Sequence, residues 1–126
     1  MEPKFYICER CGNIIEMIRP SGVKIVCCGQ EMTELKPNTV EAATEKHIPV
    51  CEVEGNQVTV KVASVAHPMV PEHFIQWIYL QTKTGIQRAE LHPGEEPKAS
   101  FALTEGDEVV AVYEYCNIHG LWKAGK

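Results

Sequence analysis

The sequence predicts a mostly β chain in which a small, metal-held N-terminal module precedes a β-sandwich. Three observations predict it. Cys8, Cys11, Cys27 and Cys28 crowd the first quarter of the 126 residues. Period-two alternation of apolar residues marks much of the remainder, and no stretch has the apolar spacing of a long amphipathic helix.

Residues 1–36 are rich in Cys, Gly and polar side chains and hold too few large apolar residues for a self-sufficient core. Cys8-Glu9-Arg10-Cys11 has the spacing at which a tight turn aims two thiolates at one ion, and Gly12 supplies the flexibility of that turn. Cys27 and Cys28 are adjacent, so successive side chains must swing to one side of the backbone, which strains a regular tetrahedron. Four thiolates suit zinc and iron alike, and spacing does not separate the two. A disulfide framework would want a secretory signal, and Met1-Glu2-Pro3-Lys4-Phe5-Tyr6 leads into no long apolar segment.

The composition shifts at Lys36-Pro37-Asn38, so Pro37 is the expected boundary between a module over 1–36 and a sandwich over 37–126. A strand is expected around Ile48 to Val53, a hairpin turn at Glu54-Gly55-Asn56, and a second strand over Val58 to Val62. Ile75 to Gln81 and Ile86 to Leu91 follow as strands around a turn at Thr82-Lys83-Thr84-Gly85. Ala99 to Leu103 lies beyond the break at Pro93-Gly94-Glu95-Glu96-Pro97, and Val109 to Tyr115 alternates again. Six or seven short strands at this turn spacing suit an all-β sandwich.

Hydrophobic residues make up 44% and charged residues 23%, an ordinary globular balance. A net charge of -5 with no basic run disfavours nucleic acid and anionic membrane as partners. No apolar run approaches membrane-spanning length, so the cytoplasm is the expected location. An anionic substrate would need a local cation to offset the overall field, and Lys46 is the candidate.

All five histidines, His47, His67, His73, His92 and His119, lie beyond the linker. His67-Pro68-Met69-Val70-Pro71-Glu72-His73 is a proline-stiffened loop on which two imidazoles can converge. Cys116-Asn117-Ile118-His119 follows the last alternating strand, so thiolate and imidazole emerge together on a firm support. Such a set suits iron, copper or zinc. His92 reads as a solvent-facing turn residue and Cys51 as a small buried strand thiol, neither of them a ligand. A blue-copper electron carrier also places Cys and His after a late strand, but it expects an axial Met after them. Only Met69, which precedes them, is available.

Taken together, the motifs resemble desulfoferrodoxin, the two-iron superoxide reductase family, over essentially the whole chain. Cys8-x-x-Cys11 with Cys27-Cys28 is similar to the desulforedoxin-type module. Glu45-Lys46-His47-Ile48-Pro49, Ser64-Val65-Ala66-His67-Pro68-Met69, His73 and Tyr115-Cys116-Asn117-Ile118-His119-Gly120 resemble its catalytic segments. Phe74 stands where the family pattern leads one to expect Trp, and no ligand is lost by it.

The resemblance implies two non-haem iron ions, one held by Cys8, Cys11, Cys27 and Cys28. The other would be ringed by His47, His67, His73 and His119, with Cys116 as axial ligand and the sixth position open. It implies an immunoglobulin-like sandwich in a homodimer, with Glu45 and Lys46 on a loop near the opening. Superoxide would be reduced to hydrogen peroxide by electrons from a rubredoxin-like donor. Lys46 would draw the anion in and order a proton-delivering water, and Glu45 would take the sixth position in the resting oxidised state. The tetrathiolate has no open position, which leaves it electron storage or structural support.

Overall fold

The computed structural model describes residues 2–39, 47–62 and 67–125, and every described element is a β-strand. The chain divides into two compact units, Met1–Lys36 and Pro37–Lys126.

In the first unit, β1 (Phe5–Ile7) pairs antiparallel with both β2 (Ile14–Glu16) and β5 (Thr33–Leu35). β3 (Val26–Cys27) and β4 (Gln30–Glu31) form a separate two-stranded ribbon. Among its described hydrophobic residues only Phe5, Cys8 and Met32 are buried. So small a core cannot hold a unit of this size by itself.

The described residues of the second unit form seven strands in two sheets. β6 (Pro49–Glu54) and β7 (Gln57–Val62) make a hairpin, and β10 (Lys98–Ala102) completes the sheet β10-β7-β6. β8 (Ile75–Thr82), β9 (Ile86–Glu90), β11 (Val109–Cys116) and β12 (Gly120–Gly125) form the sheet β12-β11-β8-β9. This three-plus-four antiparallel arrangement is that of an immunoglobulin-like sandwich. Its core gathers Val58, Val60 and Val62 of β7, Phe101 of β10, Ile78 and Leu80 of β8, and Val112 of β11. The inward residues of β7 recur every second position, as a strand with one buried face requires.

β11 departs from simple alternation, since all of Ala111 to Cys116 is buried. The outward positions carry aromatic rings that pack on one another. Trp77 stacks on Tyr115 with ring centroids 5.8 Å apart, and Tyr79 meets Tyr113 edge-on at 5.7 Å. The β8–β11 register also slips next to the last residue of β11. Tyr115 pairs with Trp77 but Cys116 pairs with Ile75, so Gln76 is bulged out. The bulge reverses the parity of β8, which lets Ile75 and Ile78 both face the core.

Candidate metal centres

In the first unit the sulfurs of Cys8, Cys11, Cys27 and Cys28 all lie within 4.8 Å of one another. The turn after Cys8 is closed by Gly12 N–H donating to Cys8 O and Cys8 N–H donating to Asn13 O, both at 2.8 Å. The adjacent pair is accommodated by the backbone. Cys28 has φ 55°, a left-handed conformation that costs a residue with a Cβ about 1 kcal/mol or more. Cys11 and Cys27 sulfurs are 3.6 Å apart and those of Cys27 and Cys28 are 4.0 Å apart. Two sulfurs about 2.3 Å from a tetrahedral ion sit about 3.8 Å from each other, so these edges fit one. They are far too long for a disulfide, and all six cysteines are free.

The thiols differ in acidity because they share donors unequally. The Cys11 backbone N–H, opposed in part by burial, draws Cys8 down to about 6. Cys28 is pushed up to about 12 by the side chains of Cys11, Cys8 and Cys27, and Cys27 is raised chiefly by Cys11. Four sulfurs this close resist carrying several negative charges without a cation among them.

In the second unit His47, His67, His73, His119 and Cys116 present five donor atoms within 4.8 Å of one another. Three chain segments deliver them. His47 comes just before β6, His67 and His73 from the loop between β7 and β8, and Cys116 and His119 from the end of β11 and the turn after it. The four imidazoles form a closed ring of edge-on neighbours. Centroids are 4.8 Å apart for His47–His67 and for His67–His73, 5.1 Å for His73–His119 and 4.7 Å for His119–His47. His47 Nε2 lies 3.2 Å from His67 Nε2 and 3.0 Å from His119 Nδ1. Two nitrogens about 2.1 Å from one ion and at right angles to each other would be about 3 Å apart, so the ring fits a square of nitrogen ligands. Cys116 Sγ lies 3.9 Å from His119 Nδ1.

The protonation states suit ligation. His67 Nδ1–H donates to Pro68 O at 2.7 Å, which leaves the Nε2 lone pair facing the cluster. Burial lowers the His67 pKa to about 4, so its ring is neutral at physiological pH. Burial raises the Cys116 thiol, while the N–H groups of His119 and Ile118 favour its thiolate. Glu114, two residues earlier and fully buried, has neither carboxyl oxygen hydrogen-bonded, and burial pushes it up to about 9. It is therefore a neutral acid at pH 7.

The structure thus brings together every cysteine and histidine named above as a ligand. Glu45 and Lys46 lie outside the described residues. His92 is exposed beside Glu95, with Nδ1 3.2 Å from the carboxylate. Cys51 is half-buried against the core rather than fully buried as expected. The Met69 sulfur, the remaining hope for a copper site, accepts the Ile75 N–H at 3.4 Å. Sequence reasoning missed Trp122. Its ring stacks on His47 with centroids 5.0 Å apart, and its Nε1–H donates to His119 O at 3.1 Å. A Trp three residues after a Cys-x-x-His was the available signal.

Comparison with known proteins agrees with this geometry. The chain matches the desulfoferrodoxin family over residues 39–125 and the desulfoferrodoxin N-terminal domain over residues 2–35. It is 50% identical over 119 residues to a desulfoferrodoxin of Syntrophotalea carbinolica, covering 94% of this chain and 93% of the relative. A superoxide reductase of Pyrococcus horikoshii is 38% identical over 96 residues, covering 63% of this chain and 84% of the relative. The crystal structure of the superoxide reductase from Treponema pallidum superposes with a TM-score of 0.84 at 44% identity, covering 98% of this chain and 99% of that one. With both units matched and both donor clusters in place, this chain belongs to the desulfoferrodoxin family.

Proposed function

We propose that this chain is a superoxide reductase that converts superoxide, one electron and two protons into hydrogen peroxide at the four-histidine, one-cysteine centre. The observation that carries the reading is the ring of four imidazoles with Cys116 beside it, in a chain similar over nearly its full length to a superoxide reductase. Both donor sets are consistent with iron. A ferrous ion held at the histidine centre would supply the electron. The ligands are His47, His67, His73, His119 and Cys116 at that centre, and Cys8, Cys11, Cys27 and Cys28 at the other.

The protein's part is to hold donors and bring in substrate. His67 is kept neutral by burial and aimed by Pro68 O. Two backbone N–H groups favour the Cys116 thiolate against the burial that raises its pKa, and a thiolate ligand would raise electron density at a bound metal. Lys46 supplies the cation that attracts a small anion to a chain of net charge -5, and orders a water that delivers a proton. Glu45 would serve as a further ligand to the oxidised ion. Residues 37–126 carry the reaction, and 1–36 form an iron module for electron storage or support.

Each turnover consumes an electron, so an external donor of rubredoxin type is required. The working form is a homodimer in the cytoplasm. No helix among the described residues is long and apolar enough to cross a membrane. Metal analysis, a visible spectrum and a superoxide assay test the reading. Two irons per chain, a thiolate-to-iron band that changes on oxidation, and peroxide formed without dioxygen are expected. Colourless zinc protein without superoxide consumption would overturn it, and light scattering checks the dimer.

A further inference from the structure

The segment bearing His73 and the turn bearing Cys116 and His119 are distant in sequence, with Phe74 and Asn117 43 residues apart, and the side chain of one residue helps to tie them. Asn117 Oδ1 accepts the Phe74 N–H at 3.0 Å, and Asn117 Nδ2 donates to Glu72 O at 3.0 Å. Its own N–H donates to Phe74 O at 3.3 Å. The two partner peptides flank His73 on either side. The ladder between β8 and β11 is disturbed there, because Gln76 is bulged and pairing resumes only at Ile75 with Cys116. Beyond that point the ladder leaves one backbone hydrogen bond between the two ligand segments, Asn117 N–H to Phe74 O, and the Asn117 carboxamide adds two more.

The chemistry requires an amide. The acceptor must meet a peptide N–H and the donor a peptide carbonyl, and among side chains of this length only Asn offers both. Asn117 also sits between Cys116 and the two residues, Ile118 and His119, whose N–H groups favour the Cys116 thiolate. A loosened turn would move those donors and the His119 ring together. His73 is held from its other side by mutual backbone hydrogen bonds with Val70 at 3.0 and 3.1 Å.

We infer that Asn117 is a positioning residue, which locks the Glu72–Phe74 segment to the Cys116–His119 turn so that His73, His119 and Cys116 meet one ion in fixed geometry. This rests on the reading of the five donors as a metal centre. Outer groups that orient ligands typically contribute about 10- to 100-fold to metal affinity, and the lower end is expected for a residue that acts through the backbone.

The test uses the full iron-loaded chain, with its tetrathiolate centre as internal reference. Asn117→Leu, similar in size but without hydrogen-bonding atoms, should lose iron to a chelator about tenfold faster from the histidine centre only. Its thiolate-to-iron band should shift while the spectrum of the tetrathiolate centre stays unchanged. Asn117→Asp keeps the acceptor for Phe74 N–H and loses the donor to Glu72 O, so it should fall between. It carries the same test if the Leu variant does not fold. Unchanged release and band position in the variants would overturn the positioning role, as would equal acceleration at both centres. Wild-type protein that takes up no iron at the histidine centre would overturn the metal-centre reading and this inference with it.

Discussion

Lys46 is joined by one peptide bond to His47, whose ring is buried against Trp122. A cation at that place in the sequence would act on an approaching anion while the chain's net charge of -5 repels it. Lys46→Ala should slow superoxide reduction about tenfold at low salt. The rate of the variant should rise with ionic strength where that of the wild type falls, because screening then weakens only the repulsion. Stopped-flow or pulsed superoxide decay at several salt concentrations checks this, and an unchanged salt slope would end the steering role. Most ligands were legible because they stand in short local patterns, Cys8-x-x-Cys11, Cys27-Cys28, His67 and His73 around prolines and Cys116-x-x-His119, whereas His47 and the full five-ligand set came from the family resemblance. Asn117 was not legible, since the partners of its two side-chain bonds lie 43 and 45 residues away. Nor was Trp122, since its stack is on the sequence-distant His47 although its hydrogen-bond partner His119 is near.

The β8–β9 turn shows what single elements contribute. Asp107 accepts Thr84 N–H at 3.3 Å and Glu108 N–H at 2.9 Å on Oδ1, and Thr84 Oγ1–H at 2.8 Å on Oδ2. Hydrogen bonding from Thr82, then Thr84, lowers its pKa below the ordinary value. A carboxylate with a depressed folded pKa adds stability above its unfolded pKa and loses it as pH falls through the folded one. Asp107→Ala should therefore melt earlier than wild type at pH 7, with the gap narrowing as pH drops below about 4. Thermal unfolding at pH 7 and pH 3 measures it, and a gap independent of pH would refute the charge's role. Among the elements, β7 and β11 announced themselves by alternation over five or more residues. β1 to β5 have two or three residues each, too few to show a period. β12 begins and ends in Gly and offers only Leu121 and Trp122 as large apolar residues, so it went unread although it supplies the stack on His47.

For the molecule as a whole, two compact units carry two donor sets, and their dependence on metal should differ. The first unit buries few side chains beyond Phe5, Cys8 and Met32, so its fold rests on its ion. Cys8→Ser should unfold residues 1–36 while the second unit keeps its iron and its superoxide activity. Protease mapping with metal analysis distinguishes this from general loss, and a variant with both units intact would show that the ion is dispensable to the first.

The second unit has a core of its own, yet the ring of imidazoles has a mechanical side. His47 borders one sheet and Cys116 ends a strand of the other, so an ion bound by both is a reversible cross-link between the sheets at one end of the sandwich. His47 and His119 are 72 residues apart, and closing a loop of that length in the unfolded chain is worth about 4 kcal/mol in the chain-entropy picture of a disulfide. An ion bound there would thus brace the fold as well as react. Molecules stripped of the ion should therefore open first at that end of the sandwich, and faster hydrogen exchange there than in the rest of the second unit would show it.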